Sequence, residues 1–286
     1  MSDKIKNFII DTDIGGDCDD AIALAMLNVA CKKGKAKMIA ATHCTNIRYG
    51  CACIKAINNF YGNSCAIGAC KYGTSEWFQD IYAKQVAEKF CNEGYENFLD
   101  AQTVLLNALN SQPDQSVTVI CIGPMTNIGD FLADPKQAEL FNKKVCKMYI
   151  MGGHYLCEEQ IKEYNISYNI NATRNILSKY NSEIVFVDFE IGSLVKTGQK
   201  LSNMDNPVDY AFKVFGTNAR QSWDPITVLY ALEDHNHLFT QTPLGVLNID
   251  NDGFMSFNED EKGKHSFLRL NCKPEELTEI INNYLV

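Results

Sequence analysis

Short apolar runs alternate with helical patterns through the first two thirds of the chain, and this alternation most constrains the fold. The predicted strands are Asn7–Asp11, Lys37–His43, Ser64–Gly68, Val117–Ile122, Lys147–Met151 and Ile184–Phe189. The predicted helices are Asp20–Cys31, Gly50–Tyr61, Tyr82–Phe90, Asp100–Asn110, Thr126–Ala133 and Thr173–Tyr180. Strands that alternate with helices form βαβ units, whose parallel sheet is covered on both faces. We therefore predict an α/β fold with a mainly parallel central sheet flanked by helices.

The last third of the chain is less regular. The sequence predicts helices at Pro207–Thr217, Asp224–Leu232 and Pro274–Leu285, a strand at Gln241–Ile249, and a turn or mobile hairpin at Asn248–Lys264. No internal repeat, low-complexity tract or linker divides the 286 residues. Residues 1–286 are therefore predicted to form a single domain, which is within the size range of open α/β folds.

Composition narrows the class of partner. A net charge of −9 argues against binding to a nucleic-acid polymer, although not against a small nucleoside. No apolar run is long enough to span a bilayer and Met1–Lys6 does not begin a signal peptide, so we expect no membrane partner and a cytoplasmic location. The 12 cysteines include no C-x-x-C pair and are predicted to be reduced thiols, mostly in the core.

An acidic stretch follows the first predicted strand. Five aspartates lie within ten residues: Asp11, Asp13, Asp17, Asp19 and Asp20. The carboxyl end of a strand in an α/β sheet faces the crevice where ligands bind. A solvated acidic loop is the alternative, and the strongly apolar elements on both sides argue against it. The spacing does not fit an EF-hand and no Cys/His ligand set accompanies it, so a calcium-like ion is favoured over zinc.

Further polar clusters follow other strands and open a late helix. They are Thr42–Asn46, Gly123–Asn127, Met151–Gly153 with Glu163–Asn165, and Ser222–Pro225. Each alone has an ordinary structural explanation, such as a helix cap at Thr126 or Asp224 or a tight turn at Gly152-Gly153.

Taken together and in this order, the clusters resemble the inosine–uridine-type nucleoside hydrolases. The resemblance extends from Ile9 to about Tyr230, and its opening motif here is the longer form, Asp11-x-Asp13-x-Gly15 followed after three residues by Asp19-Asp20. It implies a bound Ca²⁺ held by Asp13, Asp20, Asp224 and the main-chain oxygen of Thr126. It implies ribose hydroxyls held by Asp19, Asn46, Glu163 and Asn165. Asp13 would activate a calcium-bound water and Asp11 would support the loop, whereas Asp17 has no assigned role.

The chemistry of the expected reaction agrees with these residue types. Cleavage of an N-glycosidic bond passes through an oxocarbenium-like state, which nearby carboxylates stabilise. A carboxylate can also take a proton from the attacking water. The resemblance therefore predicts calcium-dependent hydrolysis of ribonucleosides to free base and ribose, with a preference for purines.

Two departures from the family pattern concern the nucleobase and the 5′ side of the sugar. Some members carry a histidine as general acid just before the late aspartate, where this chain has Trp223, which cannot donate a useful proton but can stack on a base. Trp77 is the candidate for a second stacking wall. The usual Gly-Asn pair after Met151-Gly152-Gly153 is absent, and Tyr155 begins a shorter, acidic segment.

The five histidines are expected in two different places, the site and the protein surface. His43 and His154 are candidates to face the site, and His154 is a minor candidate for a catalytic acid. His235, His237 and His265 are expected at the surface because polar residues surround them in the sequence.

Two alternatives to hydrolysis stay open on the sequence. One is a haloacid-dehalogenase-type phosphatase, which also opens with Asp-x-Asp but has no place for the late Trp-Asp-Pro. The other is a calcium-stabilised ribose- or nucleoside-binding protein with little or no turnover. Relatives in the family are commonly dimers or tetramers, so a homodimer or homotetramer is expected.

Overall fold

The computed structural model describes residues 5–70, 79–91, 93, 97–155, 161–201, 205–232 and 236–285. The strands are β1 (Lys6–Thr12), β2 (Ala36–His43), β3 (Ala66–Ala69), β4 (Leu99–Asp100), β5 (Val117–Ile122), β6 (Val145–Met151), β7 (Ile184–Val187), β8 (Lys196–Thr197), β9 (Arg220–Gln221), β10 (Phe239–Gln241), β11 (Gly245–Ile249), β12 (Met255–Glu259) and β13 (His265–Leu270). The helices are α1 (Asp19–Lys32), α2 (Gly50–Phe60), α3 (Ala83–Phe90), α4 (Ala101–Asn110), α5 (Thr126–Ala133), α6 (Pro135–Lys144), α7 (Tyr164–Ser167), α8 (Ile170–Lys179), α9 (Phe189–Leu194), α10 (Pro207–Phe215), α11 (Trp223–Leu232) and α12 (Pro274–Tyr284).

One large sheet organises the molecule. Its strand order is β12-β11-β13-β7-β6-β5-β1-β2-β3-β4, and β10 pairs with β13. All pairs from β13 through β7, β6, β5, β1, β2 and β3 to β4 are parallel. The hairpin of β11 and β12 adds antiparallel strands at one edge. The predicted α/β fold with a mainly parallel sheet flanked by helices is confirmed.

The central strands are apolar on both sides, as strands covered by helices on both faces must be. Every residue of β5 is buried. Successive residues of β1 point to opposite faces of the sheet, so that Ile9 and Ile10 belong to different apolar clusters. The register aligns the ends of the strands, because Asp11 lies beside Thr42 of β2 and Cys121 of β5. The loops after these three strands consequently meet at the same edge.

The structure corrects the predicted boundaries at the carboxyl-terminal part of the sheet. The predicted strand Ile184–Phe189 ends at Val187, because the Asp188 side chain accepts a hydrogen bond from the Glu190 backbone N–H and begins α9. The single strand predicted over Gln241–Ile249 is two strands, β10 and β11, which pair with different residues of β13. The polar run Asn248–Lys264 contains β12, whose side chains are mostly exposed.

Helix α6 was not anticipated from its apolar periodicity, which is weak. Its start is set by Asp134, whose carboxylate accepts hydrogen bonds from the backbone N–H groups of Lys136 and Gln137, with Pro135 at the first helical position.

Two predictions from composition can be compared with the described residues. The eleven cysteines in them are all free thiols, as predicted. None of the described helices has the length and apolar character needed to cross a membrane.

Candidate active site

A cavity of about 680 Å³ opens at the carboxyl ends of the central strands. This volume is in the range of pockets that take small-molecule ligands. Its polar wall contains the acids Asp13, Asp17, Asp19, Asp20, Glu163 and Asp224. Its less polar wall includes Ile81, Met151, Ile161, Tyr164, Phe189 and Trp223. A cavity with one acidic wall and one largely apolar wall suits a ligand that has a hydroxylated part and a flat apolar part.

Three buried carboxylates from two helix starts converge at this cavity. Side-chain oxygens of Asp19, Asp20 and Asp224 all lie within 4.8 Å of one another. The backbone N–H of Asp224 donates to Asp19 Oδ2 at 3.1 Å, and the Thr12 hydroxyl donates to Asp20 Oδ1 at 2.5 Å. Helices α1 and α11 pack against each other, and their amino-terminal ends favour negative charge. The fold therefore joins two acidic segments that are about 200 residues apart.

The same carboxylates resist ionisation in the protein alone. Burial, together with the charges of Asp17 and Asp11, raises the pKa of Asp13 to about 8. Burial also holds the pKa values of Asp19, Asp20 and Asp224 well above the usual range. Among the described residues, this is an oxygen-only cluster that a divalent cation would neutralise.

Asp11 lies behind the cluster rather than in the cavity wall. Its Oδ1 accepts hydrogen bonds from the Thr42 hydroxyl at 2.5 Å and the Asn127 amide at 2.8 Å. Its Oδ2 is buried and has no hydrogen-bond partner in the described parts of the chain, and burial raises the pKa of this carboxyl to about 7. Asp11 thus connects β1 to the loops after β2 and β5, as expected of a residue that supports the loop.

Gly123 allows the loop after β5 to approach Asp13. A Cβ at this position would lie 2.7 Å from Asp13 Oδ1 and 2.8 Å from its backbone nitrogen. No side chain fits in that space. Thr126, whose carbonyl was predicted as a ligand, begins α5 three residues later.

Glu163 and Asn165 both line the cavity; Glu163 caps the amino-terminal end of the short helix α7, and Asn165 lies within that helix. The Glu163 carboxylate accepts hydrogen bonds from three backbone N–H groups, those of Asn165, Ile166 and Gly153. Nevertheless, burial raises the pKa of Glu163 to about 7. The Asn165 amide donates to the Met151 carbonyl at 3.2 Å. Asn46 differs from these predicted ribose ligands, because it is exposed after β2 and is not among the described residues that line the cavity.

Trp223 belongs to an aromatic pair at the cavity wall. Its ring stacks on Phe189 with centroids 5.4 Å apart and planes inclined by 22°. The indole N–H donates to the Phe189 carbonyl at 2.9 Å, and the Arg220 guanidinium carbon lies 5.2 Å from the ring centroid. Phe189 was not singled out from the sequence. The proposed second wall, Trp77, lies outside the described residues.

Asp17 has a role that the sequence did not reveal. Its carboxylate forms a two-pronged ion pair with Arg220, at 2.8 Å from Oδ1 to Nε and 2.6 Å from Oδ2 to Nη2. The Tyr82 hydroxyl also donates to the Asp17 carbonyl at 2.7 Å. The additional residues of the longer motif therefore fasten the first acidic loop to the segment before Trp223. The partners are 203 positions apart, so no local spacing indicates the pair.

The histidines divide differently from the prediction. Both ring nitrogens of His43 are within hydrogen-bond distance of carbonyls, Thr45 at 2.9 Å and Ile14 at 3.0 Å, so His43 is structural. His154 lines the cavity. His265 is buried rather than exposed, and its Nδ1 accepts from the Leu247 N–H at 2.9 Å. His237 is exposed as expected, and His235 lies outside the described residues.

Comparisons with known proteins agree with this arrangement. Solved structures similar to this chain include a plant nucleoside hydrolase (20% identity, TM-score 0.76, 99% of each chain covered) and an inosine-guanosine nucleoside hydrolase (18%, 0.75, 98% of each). Another is the inosine-uridine preferring nucleoside hydrolase of Bacillus anthracis (14% identity, TM-score 0.73, 98% of this chain and 99% of that one). No curated protein matches. The family model described as inosine-uridine preferring nucleoside hydrolase matches residues 8–267. This chain therefore belongs to the inosine-uridine preferring nucleoside hydrolase family and is an enzyme of the N-ribohydrolase class.

Proposed function

We propose that this enzyme is a calcium-dependent hydrolase of purine ribonucleosides, releasing the free base and ribose. The observation that carries the proposal is the convergence of Asp19, Asp20 and Asp224 beside Asp13 on one wall of a cavity of ligand size. Family membership argues against the phosphatase alternative and supports cleavage of the N-glycosidic bond.

The chemistry of the donor set supports a hard cation. Calcium prefers carboxylate and carbonyl oxygens, which Asp13, Asp20, Asp224 and the main chain at Thr126 would supply. Burial of several carboxylates without a counter-charge is costly, and their raised pKa values express that cost. When bound, the cation would orient the attacking water and the ribose diol and stabilise negative charge.

The protein's own side chains would perform the remaining tasks. Asp13 would take the proton of the attacking water, because a carboxylate beside a bound cation stays ionised and can accept it. Asp19 and Asn165 would hold ribose hydroxyls, and Glu163, fixed by three backbone N–H groups, would place its negative charge near the sugar as positive charge develops there. Asn46 completes the proposed ribose set if the loop after β2 closes over the sugar.

The less polar wall supports the preference for purines. Phe189 and Trp223 form a stacked aromatic surface, and the large apolar side chains of Ile81, Ile161 and Tyr164 are more than a third exposed at the rim. A bicyclic base covers more of such a surface than a pyrimidine does, and each square ångström removed from water contributes roughly 25 cal/mol.

A nucleoside panel tests the proposal directly. Purified enzyme, stripped with a chelator and then reloaded with Ca²⁺ or Mg²⁺, is incubated with inosine, adenosine, guanosine, uridine and cytidine, and the released base is quantified by chromatography. We expect calcium-restored base release, faster from purines, that is lost in Asp13→Asn. Tight nucleoside binding without release would instead support the binding-protein alternative. Equal rates on purines and pyrimidines would reject the preference.

Two further proposals concern the setting of the enzyme. We propose a cytoplasmic location, which the eleven free thiols among the described residues support, since thiols stay reduced there. The homodimer or homotetramer expected from the family stays a prediction, and light scattering of the purified protein tests it.

A further inference from the structure

The departing nucleobase needs a proton, and the residue before the late aspartate does not supply it. Trp223 stands at that position, and its single polar hydrogen is engaged in the bond from Nε1 to the Phe189 carbonyl at 2.9 Å. An indole N–H is also too weak an acid to protonate a base. A proton donor for the base therefore has to come from another part of the cavity wall.

Three side chains among the described cavity residues carry an ionisable nitrogen: His154, Lys162 and Arg220. The Arg220 guanidinium is held by Asp17, and this hydrogen bond raises the Arg220 pKa. Lys162 is exposed, and its ammonium group lies 5.0 Å from the centroid of the Phe254 ring. His154 carries an imidazole, the side-chain group that most often acts as a general acid or base in enzymes.

The backbone fixes His154 at the boundary between the sugar side and the aromatic wall. The preceding Gly153 has φ of +103° and donates its N–H to Glu163 Oε2 at 3.2 Å. The His154 N–H donates to the Met255 sulfur, and the imidazole centroid lies 5.7 Å from that of Phe189. The His154 side chain is only 4% exposed. The ring is therefore held next to both the expected ribose ligand and the aromatic pair.

Glu190 orients the His154 ring. Nδ1 of His154 directly contacts Glu190 Oε1, and neither Glu190 oxygen has another hydrogen-bond partner among the described residues. A side-chain oxygen of the neighbouring Asp188 lies within 4.8 Å of His154 and Glu190. The Asp188 oxygens accept hydrogen bonds from the backbone N–H groups of Tyr155 at 2.8 Å and Glu190 at 3.1 Å, whereas Glu190 Oε1 is the oxygen in direct contact with the ring. A carboxylate on Nδ1 keeps the proton there and leaves Nε2 to exchange protons.

The second nitrogen of the ring is left for a ligand. Nε2 of His154 is buried and has no hydrogen-bond partner among the described residues. A buried polar atom without a partner is costly, so such atoms in a cavity wall commonly meet a substrate atom or water. A nucleobase nitrogen stacked at the Phe189–Trp223 pair would lie on this side of the cavity.

We propose that His154, oriented by Glu190, is the general acid that protonates the leaving base, an inference that rests on the proposed function. As the C1′–N bond breaks, its electron pair passes to the base, and a ring nitrogen of the base receives the proton from His154 Nε2. The water oxygen bonds to C1′ and its proton passes to Asp13. Transfer of that proton through solvent to His154 restores both groups, so the net reaction consumes one nucleoside and one water.

Substrates with different leaving groups test the assignment. Inosine requires protonation of its base, whereas 4-nitrophenyl β-D-ribofuranoside releases a nitrophenolate that leaves without a proton. We expect His154→Gln to lower kcat/KM for inosine about 10²- to 10³-fold and to change that for the nitrophenyl riboside less than about threefold. Glu190→Gln, which removes the carboxylate charge beside Nδ1, should lower the inosine value about tenfold and leave the nitrophenyl value unchanged.

The controls separate a failure of this inference from a failure of the proposed function. Wild-type enzyme that cleaves neither substrate overturns the proposed function itself. Wild-type enzyme that cleaves only the nitrophenyl riboside, or His154→Gln that lowers both substrates equally, retains the hydrolase and overturns the acid. The exposed His237→Gln is the matched control and should behave as wild type.

A third substrate excludes a sugar-binding role for His154. With 5′-deoxyinosine, a histidine that binds the 5′-hydroxyl would make no difference, so wild type and His154→Gln would be equally active. The proposed acid predicts the same 10²- to 10³-fold loss as with inosine. Calcium titrations should give the same affinity for His154→Gln as for wild type, because the substitution leaves the acidic cluster intact.

Discussion

Removal of the proposed calcium ion should make the stability of this protein depend strongly on pH, because the buried carboxylates then have only protons to neutralise them. In the folded protein burial raises the pKa of Asp11 to about 7 and that of Asp13 to about 8, from the 3.8 that is usual for an exposed aspartate. Below pH 3.8 these carboxyls are protonated in both the folded and the unfolded chain, so their burial does not lower the stability of the fold. As pH rises from 3.8 through the folded pKa values, the unfolded chain releases protons that the folded chain retains, and the free energy of unfolding falls.

The size of the effect follows from the shifts. Each proton that the folded chain retains and the unfolded chain has released lowers the free energy of unfolding by about 1.4 kcal/mol per pH unit. For the proposed ligand Asp13 alone, a shift of about four units corresponds to about 6 kcal/mol. In a chain of this size, this is roughly 10 °C in Tm.

The assay compares the melting temperature in EDTA and in excess Ca²⁺ at pH 5, 6, 7 and 8. We expect the gain in Tm from calcium to be small at pH 5 and several degrees larger at pH 8. Asp224→Asn should lose this gain and, in EDTA at pH 8, should melt above the wild type, because one buried charge has been removed. Asp252→Asn, at an exposed turn, should match the wild type. A calcium gain that is constant across the pH range would refute the reasoning.

Three substitutions give further expectations. Arg220→Lys cannot reproduce the two-pronged bond to Asp17 and should weaken calcium binding about fivefold, corresponding to ~1 kcal/mol, in a calorimetric titration; unchanged affinity would contradict the role of this pair. Gly123→Ala places a Cβ 2.7 Å from Asp13 Oδ1 and should lower kcat/KM about 10²-fold with an unchanged circular dichroism spectrum. His265 has a pKa lowered to about 4 by burial, so protonation favours the unfolded chain, and stability should fall between pH 6.5 and pH 4 by about 3 kcal/mol in urea titrations. His265→Asn should remove that dependence.

The sequence predicted the parallel sheet and the acidic half of the site because both depend on local patterns. Strands β1, β2 and β5 are short apolar runs between helical segments, and each is followed by polar residues that face the same crevice. Family resemblance then joined Asp20 to Asp224, a pairing that spacing alone does not give.

Features that depend on tertiary contacts were not predictable in the same way. Nothing in the sequence around Arg220 indicates that its partner is Asp17. The role of Glu190 becomes visible only in the folded structure, where α9 places its carboxylate against His154. His265 sits among polar neighbours in the chain, yet its strand lies inside the sheet between β7 and β11. In each case the pattern along the chain and the surroundings in space disagree.

The Asp17–Arg220 pair and the bond from the Asp224 N–H to Asp19 together determine when during synthesis the site can exist. The first acidic loop precedes its partners Arg220 and Asp224 by about 200 residues in the chain. Until α11 emerges from the ribosome, the early aspartates stay solvated, separate and ionised, with their ordinary affinity for protons. The proposed cation site is therefore completed late in synthesis. A chain truncated before Arg220 would lack this site even if the first strands had already paired.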